Sequence, residues 1–168
     1  EKGSTGFLGI KSKPAIIKAR KKNDTVDNIR EFLENVFSAM NMEVTIDIKK
    51  AEDDKVYEVE LSGKEMGLLI GKRGQTLDSL QYLTNLAVNK HSDGYIKVKL
   101  DTEDYRQRRK DTLENLAKNI AYKVKRTKRP VSLEPMNPFE RRVIHSALQG
   151  DRYVETHSEG EEPFRHVV

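Results

Sequence analysis

Ile70-Gly71-Lys72-Arg73-Gly74-Gln75-Thr76-Leu77 interrupts a chain that is otherwise building a core. Leu68, Leu69 and Ile70 run into two glycines that enclose two cations, and a leucine-bearing helical pattern resumes at Leu77 and Leu80. The interruption reads as a phosphate cradle, a nucleic-acid clamp or a plain turn. A Walker A loop needs four residues between its glycines and Ser or Thr after the lysine. Here three residues separate Gly67 from Gly71, Arg73 follows Lys72, and no strand pattern feeds the loop. The G-x-G-x-x-G of a dinucleotide site is also absent. A turn explains one glycine with positive φ. A second glycine points to another backbone approaching closely. The loop also opens onto a helix start, where free N–H groups and the positive dipole end attract phosphate.

Working outward, Asp24 caps a helix carrying Val26, Ile29, Leu33, Val36, Phe37 and Met40 at helical spacing, with Asn41 as its stop. Val44, Ile46 and Ile48 alternate with polar residues, as do Tyr57, Val59 and Leu61, giving a hairpin around residues 51–55. A short helix over 65–70 precedes the glycine loop. A longer helix follows it through Leu77, Leu80, Thr84, Ala87 and Val88, and Ile96, Val98 and Leu100 form a third strand. The predicted order is αββααβ.

A second unit follows without a flexible linker. Asp101, Glu103 and Asp104 stand where a helix start favours acids. Leu113, Leu116, Ala117, Ile120, Ala121 and Val124 make one apolar stripe. Residues 131–133 are expected to be a short strand. Asn137, Pro138 and Glu140 match cap, first position and capping box of another helix. Residues 153–158 and 164–168 are expected to be two strands around a Glu-Gly-Glu-Glu-Pro turn. On the 138–148 helix, Arg141 and His145 are four residues apart and share a face. A helical wheel with Phe139, Val143 and Ala147 inside turns both outward.

The whole chain bounds the chemistry. Its 168 residues allow one or two small domains, and 35% charged against 36% hydrophobic residues suits compact units with charged surfaces. The formal charge is +4 and the pI about 9.1. Residues 104–129 concentrate the excess, with ten cations (among them Arg106, Arg109, Lys125 and Arg126) against Asp104, Asp111 and Glu114. There is no cysteine, hence no disulfide framework or thiolate chemistry, and a reducing, cytoplasmic setting fits. No apolar stretch approaches the roughly 20 residues of a membrane span. The chain begins at Glu1 rather than Met, and a part upstream is expected. His157 and His166 lack a close ligand set, so no metal and no cofactor are expected. No paired carboxylates stand out, so no enzyme is expected.

Ile70 to Leu77 resembles the I-G-x-x-G-x-x-[IL] signature of KH domains, whose loop clamps the backbone of about four single-stranded nucleotides. The αββααβ order resembles the bacterial, type II form. The resemblance implies an α+β fold, a three-stranded sheet with helices on one face. It also implies a backbone clamp of Gly71, Lys72, Arg73 and Gly74, with Leu69, Ile70 and Leu77 lining an apolar base groove. The segments 135–142 and 156–163 resemble an R-3-H domain, a single-strand-binding module with helices on a three-stranded sheet, in which Arg141 and His145 match the signature. Arg142, Lys125 and Arg126 join them as candidate contacts.

A KH domain running into an R-3-H domain is similar to the bacterial Jag family, also called KhpB or SpoIIIJ-associated protein. Residues 1–22 resemble the end of that family's Jag-N domain, leaving 23–101 as the KH domain and 102–168 as the R-3-H domain. The resemblance implies a cytoplasmic protein that binds single-stranded RNA, RNA over DNA being undecided. It further implies post-transcriptional regulation or RNA chaperoning tied to envelope growth, division or sporulation. The partners it implies are a small KH-only protein or a second copy, and a nearby membrane insertase. The alternative is a protein-interaction adaptor that pairs through its KH fold, with RNA secondary.

Overall fold

The computed structural model describes residues 24–168 apart from His91 and Asp93, so the expected Jag-N remnant lies outside the described residues. The first unit consists of α1 (Thr25–Ala39), β1 (Val44–Lys50), β2 (Val56–Gly63), α2 (Met66–Ile70), α3 (Gln75–Asn89) and β3 (Lys97–Asp101). This is the expected αββααβ order. Asp24 accepts from the Asp27 N–H at 2.8 Å and closes a full capping box on α1. In the sheet, β2 is central: β1 pairs with it antiparallel, Ile46 opposite Leu61, and β3 pairs with it parallel, Val59 opposite Leu100.

Alternation sends Ile46, Tyr57, Val59, Leu61, Val98 and Leu100 to one face, where Ile29, Leu33 and Phe37 of α1 and Leu77, Leu80 and Val88 of α3 meet them. Each of these large side chains gains about 1.5–3 kcal/mol from leaving water. The outer edge of β3 would expose an unpaired row of backbone groups. Amide side chains of α3 cover it. Asn85 accepts from the Val98 N–H and donates to the Val98 carbonyl, Asn89 does the same at Ile96, and Gln81 accepts from the Leu100 N–H. Four-residue spacing places all three amides on one helix face.

α4 (Tyr105–Thr127) joins the units as a single 23-residue helix. Its first turn packs on the first core through Tyr105, and Arg106 bonds Asp78 and the Leu100 carbonyl. Farther along, Leu113, Ala117 and Ala121 enter a second core with Met136, Val143, Ile144, Leu148 and Val167. α5 (Pro138–Leu148) has the expected cap: Asn137 accepts from the Glu140 N–H at 2.9 Å. β4 (Ser158–Glu159) and β5 (His166–Val167) pair antiparallel.

The second unit departs from expectation in three places. Residues 131–133 are not a strand, although the Leu133 N–H donates to the Val167 carbonyl and the Met136 N–H to that of Arg165. The two expected strands at 153–158 and 164–168 shrink to two residues each, flanked by reciprocal bonds between His157 and Val168. The acids before α4 stand at its start as expected, with Asp104 at the N-cap, but Asp104, with φ of 52°, makes no side-chain cap, and the first turn itself holds no acid.

Candidate nucleic-acid interface

The glycine loop is a tight left-handed passage between α2 and α3. Gly71, Arg73 and Gly74 have φ of 67°, 57° and 79°. A Cβ at Gly71 would lie 2.0 Å from Thr76 Oγ1, and one at Gly74 would lie 2.7 Å from the Tyr105 ring. Both glycines are therefore demanded inside the molecule by conformation and by close neighbours. This corrects the expectation that the second glycine calls for an outside backbone. The loop still delivers the start of α3, which no side chain caps, to the surface.

The two cations of the loop part company. Lys72 is exposed and has no ion pair among the described residues. Arg73 turns to the second unit, where its guanidinium donates to the Pro135 carbonyl and pairs with Glu134. A cleft of about 240 Å³ remains beside it, walled by Lys72, Gln75, Asn137 and Glu162. Leu69 and Leu77 are wholly buried core residues rather than a base groove, and Ile70 is half-buried.

The Arg141/His145 pair is also rearranged. Arg141 is only 8% exposed, whereas Phe139 is 60% exposed, the reverse of the wheel. At about 100° per residue, the buried stripe of α5 runs through Glu140, Val143, Ile144 and Leu148. Arg141 falls on its edge, Phe139 well off it, and Arg142 opposite. Arg141 donates to the Met136 carbonyl and to the Glu162 carboxylate, both at 2.6 Å. It thereby ties the α5 entry to the 159–163 turn. His145 is half-buried, with Thr156 Oγ1 at 2.7 Å from Nδ1 and Ser158 Oγ at 2.9 Å from Nε2. Burial holds its pKa below the usual histidine value, and the Arg141 and His157 charges act the same way.

The dense basic region is partly self-neutralised. Arg106 pairs with Asp78, Arg108 with Glu103, Arg109 with the buried Glu140, Lys110 with Glu114, and Lys125 with Asp151. The bond from Lys125 lowers the Asp151 pKa, helped by the Tyr153 N–H. Lys118, Lys123, Arg126, Lys128, Arg129 and Arg142 have no ion pair among the described residues. Among those residues no group of His, Asp or Glu could hold a metal, and no helix is long and apolar enough to cross a membrane.

Residues 27–100 match the KH domain of KhpA/KhpB, and residues 111–168 match the R-3-H domain. A relative in Clostridium symbiosum, named RNA-binding protein KhpB, is 69% identical over the full chain, which spans 76% of that relative. The chain belongs to the KhpB family. Its Bacillus subtilis relative of the same name is 40% identical over 171 residues, and the chain spans 81% of it. A shorter match, 28% identical over 141 residues, reaches the KhpB of Streptococcus pneumoniae. KH and R-3-H are families of binding modules rather than of enzymes, so this KhpB-family chain carries two of them in series.

Proposed function

We propose that the chain binds single-stranded RNA at two places, the glycine loop with the start of α3, and the outer side of α5. The observation that carries the reading is the loop itself. It presents an uncapped helix start beside an unpaired, exposed Lys72, and two relatives of the chain are named for RNA binding. In this reading Lys72 and the backbone of Gly71 and Gly74 take phosphate, with Ile70 beside them. Arg142, His145 and Arg126 supply the second contact. Arg73, Arg141 and Lys125, each held by an acid, act chiefly by positioning. Two weak contacts on one body raise affinity through effective concentration.

The test is fluorescence anisotropy of a labelled single-stranded RNA pool with Lys72→Glu and Arg142→Glu at two salt concentrations. Each variant should weaken binding several-fold, and each lost phosphate contact should flatten the salt slope by about 1. Unchanged affinity for both would refute the reading. The roles in RNA regulation or chaperoning, envelope growth, division or sporulation, and the insertase link, rest on family resemblance.

One observation favours the adaptor alternative: Tyr82, Leu83 and Leu86 are exposed on α3. A second copy or a KH-only partner would cover them. Pull-down that survives Lys72→Glu but fails with Leu83→Asp would support it.

A further inference from the structure

The basic region divides sharply. Near the glycine loop its arginines are consumed by acids: Arg73 by Glu134, Arg106 by Asp78, Arg109 by Glu140. Toward the far end of α4, Lys118, Lys123, Arg126, Lys128 and Arg129 have no ion pair among the described residues. That end stands beside a cleft of about 440 Å³, within the roughly 300–1,000 Å³ of small-molecule sites. Its floor is apolar: Ile120, Val124, Leu133, Ile144, Leu148 and Val154. With Lys125 already paired to Asp151, the unpaired Lys128 and Arg129 line it against one acid, Glu155, so its remaining charge suits an anionic ligand. Tyr153, 77% exposed, forms part of the lining. Lys125 Nζ, held by Asp151 at 2.5 Å, lies 5.5 Å from the centre of its ring.

We propose that this cleft is a third contact for the bound strand, taking one nucleobase against its apolar floor and Tyr153 while Lys128 and Arg129 hold the adjoining phosphate. The proposal rests on the reading of the chain as a binder of single-stranded RNA. An aromatic ring stacks under any base, because every base presents a π-face. Arginine forks onto phosphate. The cleft is continuous with the candidate face on α5, because Thr156 lines it while its hydroxyl holds His145 at 2.7 Å. Asp151 and Tyr153 preposition the rim: the Tyr153 N–H donates to the Asp151 carboxylate at 3.0 Å, and the same carboxylate group holds Lys125.

The experiment is a methyl-labelled NMR titration of the full chain with a short single-stranded oligoadenylate and with an abasic strand of equal length. The oligoadenylate should shift Ile120, Val124 and Val154 methyls, and the abasic strand should leave them in place while still shifting the Gly71 and Gly74 amides. Lys128→Glu/Arg129→Glu, both exposed, should lower affinity about tenfold and flatten the salt slope by about 2. Glycine-loop shifts without cleft shifts would overturn the third contact and spare the RNA reading. No shift anywhere would sink both. Equal cleft shifts from the abasic strand would remove the base from the cleft. An acidic peptide that moves those methyls where RNA does not would give the cleft to a protein partner and refute the proposal.

Discussion

Charge plays opposite parts in the two units. In the KH unit it stays outside: Lys49–Asp47 and Lys99–Glu58 pair on the solvent face of the sheet, and the core is aliphatic and aromatic. In the R-3-H unit charge goes inside. Glu140 is 3% exposed and grips Arg109, and Arg141 holds the 159–163 turn. Size accounts for the difference. The second core is short of large side chains, with two alanines among its eight buried members. Small domains bury too little apolar surface to stand on it alone. The buried Arg141 and the half-buried Arg109, each paired with an acid, make up part of the deficit, and Arg141 also orients the turn.

The comparison can be broken by mutation, with hydrogen exchange reporting each unit separately. Leu61→Ala, at a wholly buried position, should cost about 3 kcal/mol and lower protection across the sheet of the first unit. Arg141→Ala should cost about 2 kcal/mol, chiefly in the second unit, by leaving the Met136 carbonyl without its donor. Its neighbour Arg142→Ala should move stability by less than about 0.5 kcal/mol. If Arg141→Ala behaves like Arg142→Ala, the inward role of charge is wrong. The smallest effect is that of pH. Because the folded pKa of His145 lies below its unfolded value, its contribution is complete above about pH 6.5 and is lost as pH falls from there toward the folded pKa. Protection at Ile144 should therefore decline in that window more than at Leu33, and His145→Gln should remove the slope.

The same division decides what was legible in the sequence. The first unit announces itself because apolar residues recur at periods of two and 3.6 and the charges fall between them. The loop residues were legible by their pattern. The roles of Thr76 and Tyr105 as neighbours that forbid a Cβ were not, since Tyr105 lies 31 positions beyond Gly74. The Gln81, Asn85 and Asn89 ladder carried a readable signal, amides at four-residue spacing on a helix facing an edge strand. Polar residues at helix positions read as solvent-facing, and this hides the ladder. Arg141 misled for the opposite reason. Taking Phe139 as an anchor rotated the wheel, and a buried guanidinium leaves no trace in an apolar pattern. Nor does composition reveal pairing: ten cations look like an open field until Asp78, Glu103, Glu140 and Asp151 are seen beside them.

α4 has a metrical consequence. One uninterrupted helix starts against the glycine loop at Tyr105 and ends among the unpaired cations near Lys125, so the distance between those places is set by about 20 residues at 1.5 Å each, or about 30 Å. A jointed linker would let two grips slide toward one another on any short strand. A rod does not. If both ends hold the strand as proposed, the molecule would act as a gauge, and strands too short to span it would occupy one end or the other, but not both.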